Sequence, residues 1–137
     1  MAEPSGPASQ ATASSSRFER GLEMRRRVLG REYVDAALAA ADEDARPLQE
    51  FVTEYVWGAI WGRDGLEPRQ RSLITLAMLI GLRQPEELRT HIKGAIRNGC
   101  TQVEIRETLL HSAAYLGVPA ALAALEIARQ VFASEPA

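Results

Sequence analysis

Apolar side chains in this chain recur every three to four residues and never alternate over a run bounded by turn residues. The pattern therefore predicts helices throughout and no strands. The first helix starts at Ser16, where Ser16-Arg17-Phe18-Glu19 has the form of a capping box; it carries Phe18, Leu22, Val28 and Leu29 and stops at Gly30. A shorter helix is expected over about 33–41, and Asp42-Glu43-Asp44 is a linker that gives the next helix an acidic flank. That next helix runs over about 46–60, with Leu48, Phe51, Val52, Tyr55, Val56 and Ala59 as its apolar stripe and Trp57 and Trp61 on a neighbouring face.

Gly62-Arg63-Asp64-Gly65 reads as a turn, and Pro68 sits in the first turn of a helix over 69–82. This helix is apolar on nearly all sides after its first turn, so it is expected at the centre of the fold. Pro85 opens the following helix, which Asn98-Gly99 closes. Thr101-Gln102-Val103-Glu104 is a second capping box, heading a helix to Leu116 that ends at Gly117, and Pro119 begins a last helix reaching Phe132. The expected architecture is all-α: one domain of six or seven helices over 16–133, with tails at 1–15 and 134–137. The N-terminal tail is expected to be disordered because its Ala, Ser, Pro and Gly offer little to bury.

Composition narrows the partners. The chain has 137 residues, enough for a sizeable core, and its formal net charge of −2 leaves no cationic excess for phosphates, which argues against nucleic acid. Its basic residues are all arginine except Lys93, which suits bidentate recognition of carboxylates and equally suits a GC-rich genome. Cys100 is the only cysteine, so no intrachain disulfide forms and a reducing, cytoplasmic setting is expected. Residues 73–82 are about half the length of a membrane span, so no membrane partner is expected.

One constellation carries chemistry. Glu87 and His91 stand four residues apart and share a helical face, beside the apolar stripe Leu88, Ile92, Ala95 and Ile96. Such a pair is either a hydrogen-bonded structural pair or an acid–base site, with the carboxylate orienting or charging the imidazole. No metal is expected: His111 lies on another helix, and His91, His111, Glu87 and Glu104 lack the spacing of a ligand set. Arg69 and Arg71 occupy a helix start that disfavours cations, which hints at an anionic partner. Trp57 and Trp61 suit a pocket, a subunit interface or plain core packing.

Five blocks, in order, resemble the carboxymuconolactone decarboxylase family. They are Arg17-Phe18-Glu19-Arg20-Gly21-Leu22 with 26–30; Tyr55-Val56-Trp57-Gly58-Ala59-Ile60-Trp61; Gly65-Leu66 leading to Arg69-Gln70-Arg71-Ser72-Leu73-Ile74-Thr75; Glu86-Glu87-Leu88-Arg89-Thr90-His91; and Ala114-Tyr115-Leu116-Gly117-Val118-Pro119-Ala120. The resemblance implies an alkylhydroperoxidase-D-like fold and a ring-shaped homo-oligomer, a hexamer or trimer. In the redox branch of that superfamily two cysteines precede the histidine; here those positions hold Gln84 and Glu87, and the upstream glutamate falls on Ser72, so disulfide chemistry of that type is excluded.

The activity implied is cofactor-free decarboxylation of a small anionic lactone, 4-carboxymuconolactone, to 3-oxoadipate enol-lactone in the protocatechuate branch of aromatic catabolism. His91 is then the proton donor or oxyanion partner and Glu87 tunes it. Arg71, with Arg69 or Arg89, would meet a substrate carboxylate, and Trp57, Trp61 and Tyr115 would line a dry pocket. The alternatives are a related enzyme for another small lactone or carboxylic acid, and a non-enzymatic binding subunit.

Overall fold

The computed structural model describes residues 7–135 and, among them, holds helices and no strand. It comprises α1 (Pro7–Leu29), α2 (Arg31–Ala40), α3 (Arg46–Phe51) continuing into a π-helical segment (Val52–Ile60), α4 (Pro68–Gly81), α5 (Pro85–Arg97), α6 (Gln102–Leu116) and α7 (Val118–Ser134). The stops fall where the sequence places them: Gly30, Gly99 and Gly117 all take positive φ. The capping box at Thr101 is formed, Thr101 Oγ1 accepting from Glu104 N–H at 3.1 Å and Glu104 Oε2 accepting from Thr101 N–H at 2.9 Å.

Two compact units meet in the chain at Asp64. In the first, α1 packs along the π segment and α2 folds back on α1. The approach of α1 is close because both sides lack a Cβ. One added at Gly21 would stand 1.9 Å from the Thr53 carbonyl oxygen, and one at Gly58 would stand 2.6 Å from that of Arg17. Val28, Leu29, Val34, Trp57 and Trp61 form this core.

Three expectations for this unit change. Helical backbone begins at Pro7, so α1 includes 7–15 of the expected tail, while 1–6 lie outside the described residues. Pro7 sits at the first position of this helix, where its missing donor costs nothing. The 46–60 helix is not uniformly α: Trp61 N–H bonds the Val56 carbonyl, five residues back, at 3.0 Å. Its wider turns bring Thr53, Trp57 and Trp61 inward, while Leu48, Phe51 and Tyr55 of the expected stripe are exposed.

In the second unit four helices pack around one core, α4 against α5 and α6, and α7 against the same two. The core holds Leu76, Ile80, Leu88, Ile92, Ile105, Leu109, Ala128 and Val131 among others. α4 presents only Ser72, Leu76 and Ile80 fully inward, and Ile74, Met78 and Leu82 remain exposed. It is thus one wall of this unit and not its centre, because neighbours cover it on one side alone. No helix of the described residues is long and apolar enough to cross a membrane.

Candidate active site

α4 and α5 are joined by Leu82, Arg83 and Gln84, and Pro85 then occupies the first position of α5. The end of α4 closes as a Schellman motif: Arg83 N–H bonds Ile80 O at 3.2 Å and Gln84 N–H bonds Leu79 O at 3.1 Å. Such a closure needs a left-handed residue, and no glycine lies between Gly81 and Pro85. Arg83 therefore takes φ 54°, the only non-glycine at positive φ among the described residues. The end of α5 makes the same closure through Gly99, with Cys100 N–H on Ala95 O at 2.9 Å. An L-residue in this conformation costs on the order of 1 kcal/mol, which glycine avoids.

α5 turns Leu88, His91, Ile92 and Ala95 inward. His91 is 8% exposed, and burial holds its pKa down at about 4 against an ordinary 6.5. It is neutral near pH 7, so its imidazole offers one N–H donor and one acceptor nitrogen. A neutral imidazole in a dry setting can donate to an oxyanion as charge develops there.

Glu87 is exposed. Burial is the cause of the His91 shift, whereas a carboxylate acting on the imidazole would raise its pKa. Sharing a face sets the direction of the two side chains but not their depth: Pro85, Glu86 and Glu87 lie at the exposed edge, and His91 is one turn further in.

Several of the other expected residues have partners of their own. Arg69 is ion-paired with Glu104 and its Nε donates to Gly99 O at 3.4 Å, joining α4 to the start of α6. Arg89 donates to Gln130 Oε1 at 2.8 Å, joining α5 to α7. Arg71 is half-buried and stands five residues before Leu76, off the face that carries Ser72, Leu76 and Ile80. Tyr115 is 78% exposed and meets the ring of His111, also exposed, at 5.3 Å. Trp57 and Trp61 belong to the first unit, stacked at 4.6 Å in its core. Ser72, on the position of the redox branch's glutamate, is buried and accepts from Asn98 Nδ2 at 2.9 Å.

Sequence reasoning passed over a cavity of about 270 Å³ walled by α4, α5 and α7. Leu79, Ile80, Leu88, Ala124 and Ile127 supply apolar walls, and Arg83, Gln84 and Pro85 stand at its polar end. Of the lining residues, Leu88 is on α5 and Gln84 caps its start; His91 lies one turn beyond Leu88 and is not among the lining residues. The sequence carried a partial signal for Arg83: with no glycine between Gly81 and Pro85, a left-handed closure there falls to a residue with a side chain.

The carboxymuconolactone decarboxylase family matches residues 46–130. The nitrosuccinic acid decarboxylase of Metarhizium robertsii is 46% identical over 113 residues, covering 82% of this chain and 79% of that protein. The 4-carboxymuconolactone decarboxylase of Acinetobacter baylyi is 39% identical over 116 residues, covering 85% and 87%. An uncharacterised 15.0 kDa protein of Paracoccus denitrificans is 34% identical over 84 residues, covering 60% and 63%. By the family match and by two relatives aligned over most of their length, this chain belongs to the carboxymuconolactone decarboxylase family.

Proposed function

We propose that the protein is a cofactor-independent carboxy-lyase for small dicarboxylic acids, with 4-carboxymuconolactone as its substrate. The observation that carries this reading is a buried, neutral histidine, His91, on the inward face of α5 in a chain of this family. In 4-carboxymuconolactone the departing carboxylate sits on a ring carbon conjugated through the ring double bond to the lactone carbonyl. Loss of CO2 leaves its electron pair as a dienolate on that carbonyl oxygen. A proton then adds at the ring carbon beside the carbonyl, yielding 3-oxoadipate enol-lactone.

His91 donates its N–H to the developing oxyanion in this scheme, a role that a neutral imidazole can fill at pH 7 and that a low pKa favours. An imidazolium acid is disfavoured by the same burial. Arg71, with Arg69 or Arg89, is the candidate for the substrate carboxylate, and Glu87 is exposed on the helix that carries His91.

A second substrate is favoured by one finding: the relative at 46% identity is named a nitrosuccinic acid decarboxylase. There the nitro group takes the lactone's place as electron sink. Loss of the adjacent carboxylate leaves a nitronate, and protonation at carbon yields 3-nitropropanoate. Both reactions ask the protein for an oxyanion partner, a hold on a second carboxylate and one proton.

The test is an NMR time course in D2O with each acid supplied to the purified protein. Enzyme-dependent product bearing deuterium at the newly protonated carbon supports the reading, and rates equal to background for both acids sink it. We also propose a homo-oligomer, a hexamer or trimer, supported by the exposed Met78 on α4, Leu82 just after it, Leu110 and Tyr115 on α6 and Leu122 on α7. A monomeric mass by light scattering at micromolar concentration would remove it.

A further inference from the structure

We propose that the α4–α5–α7 cavity binds a succinate-type acid, and that Arg83 at its rim pairs with the carboxylate the substrate keeps. The proposal rests on the decarboxylase reading above and adds to it a binding site and a specificity-determining residue.

The two acids share a unit. In each, the carbon that loses CO2 also carries a CH2–CO2⁻ arm; the third feature, lactone or nitro group, is the electron sink. Both are thus succinates substituted at one carbon. A protein built for this class recognises the retained arm with a cation and keeps the departing carboxylate from strong solvation, since its charge must vanish into CO2.

The cavity has that polarity. Its volume, about 270 Å³, is just under the range of about 300–1,000 Å³ typical of drug-sized ligands and suits an acid of about a dozen heavy atoms. Its walls include Leu79, Leu88, Ala124 and Ile127, and Arg83 is the one charged side chain among its lining. Gln84 beside it adds amide donors. With the retained carboxylate at Arg83, the carbon that loses CO2 lies among apolar side chains, Leu88 of α5 among them; His91 follows one turn beyond Leu88 on that helix and is not itself among the lining residues.

The backbone supports a placed function for Arg83. A helix stop of this geometry favours glycine or, less often, asparagine, yet an arginine stands here at φ 54° in the lining of a cavity. The left-handed turn aims this side chain from a rigid closure whose two hydrogen bonds are both made.

The arm that Arg83 binds is unchanged by the reaction, so the contact is equally strong in ground and transition states. Its loss appears in KM and leaves kcat alone. Arg83→Asn removes the charge and keeps a residue that accepts positive φ; Arg83→Lys keeps the charge. With nitrosuccinate and with 4-carboxymuconolactone, Arg83→Asn is expected to raise KM by about tenfold to a hundredfold, the loss of a charge-assisted pair, with kcat within about threefold. Arg83→Lys recovers most of the change.

A binding measurement stands apart from turnover. In the full chain carrying 13C-methyl alanine, succinate is expected to shift the methyl signals of Ala120, Ala123 and Ala124, which line the cavity. About ten times more succinate is needed in Arg83→Asn. Unchanged KM and an unchanged succinate response in Arg83→Asn overturn the proposal and leave the decarboxylase reading in place. No alanine shift in the wild-type protein overturns it as well. Absence of turnover with both acids, together with succinate shifts that depend on Arg83, removes the decarboxylase reading and keeps the carboxylate cavity.

Discussion

Asn98 closes α5 and reaches back to the start of α4, its Nδ2 donating to Ser72 Oγ at 2.9 Å and to Pro68 O at 3.3 Å. Ser72 is fully buried, so this amide satisfies a hydroxyl that water does not reach. Asn98→Ala should destabilise the protein by about 1–2 kcal/mol, and Ser72→Ala by less. A double-mutant cycle by urea denaturation checks the pair: single costs that simply add would show that the two residues are not coupled.

His91 makes stability depend on pH with a defined sign. Its folded pKa of about 4 lies below its unfolded value near 6.5, so between those values the unfolded chain binds the extra proton. Stability is full above pH 6.5 and falls by on the order of 3 kcal/mol as pH drops to 4. His91→Gln should flatten this acid slope in denaturation curves taken from pH 4 to 7. A slope unchanged in the variant would assign the acid sensitivity to other groups.

The same pKa shapes activity. With neutral imidazole as the working form, kcat/KM should stay level from pH 8 to about 5 and decline below it. A bound dianion favours the imidazolium, so the acid limb of kcat should lie at higher pH than that of kcat/KM. His91→Ala should lower kcat by about a hundredfold to a thousandfold, as loss of an oxyanion donor does. A folded variant that retains normal turnover would take His91 out of the mechanism.

Gly21 tests how α1 meets the π segment. A methyl group there would collide with the Thr53 carbonyl, which is backbone and cannot rotate away. Gly21→Ala should cost about 3 kcal/mol or more, whereas Gly65→Ala, with open space around its added carbon, should stay within about 0.5 kcal/mol. Equal melting temperatures for the two variants would contradict the close crossing.

Arg83 separates stability from binding. Arg83→Gly relieves a left-handed arginine, so the melting temperature should hold or rise, by the equivalent of about 1 kcal/mol at most. A marked loss of stability would mean that the arginine side chain holds the α4–α5 link together.

Cys100 is buried and its thiol is pushed up by desolvation, against a smaller opposing effect from Arg69. Alkylation by iodoacetamide at pH 8 should be slow in the native protein and fast in urea. Fast native labelling would place the thiol in contact with solvent.

Helix stops and starts were legible along the chain because they depend on a few neighbouring residues. Gly99 follows Asn98, Pro85 and Pro68 occupy first turns, and Thr101 and Glu104 cap one another, whatever packs nearby. The all-helical class and the inward placement of His91 follow in the same way from periodicity. Depth was not legible. Glu87 and His91 share a face, yet only the packing of α4, α6 and α7 around α5 decides that one is solvated and the other buried, and so that burial holds the imidazole's pKa down. The arginines show the same limit: composition could mark them as carboxylate binders, but Glu104 and Gln130 come from distant segments and take two of them. Periodicity misjudged the 46–60 helix because a π segment rotates its own face, and it passed over the cavity because three helices must meet before their small side chains leave a space. Local chemistry decided the elements of this protein; only the contacts among them decided which groups lost their water, and loss of water is what turns a histidine into a candidate catalyst.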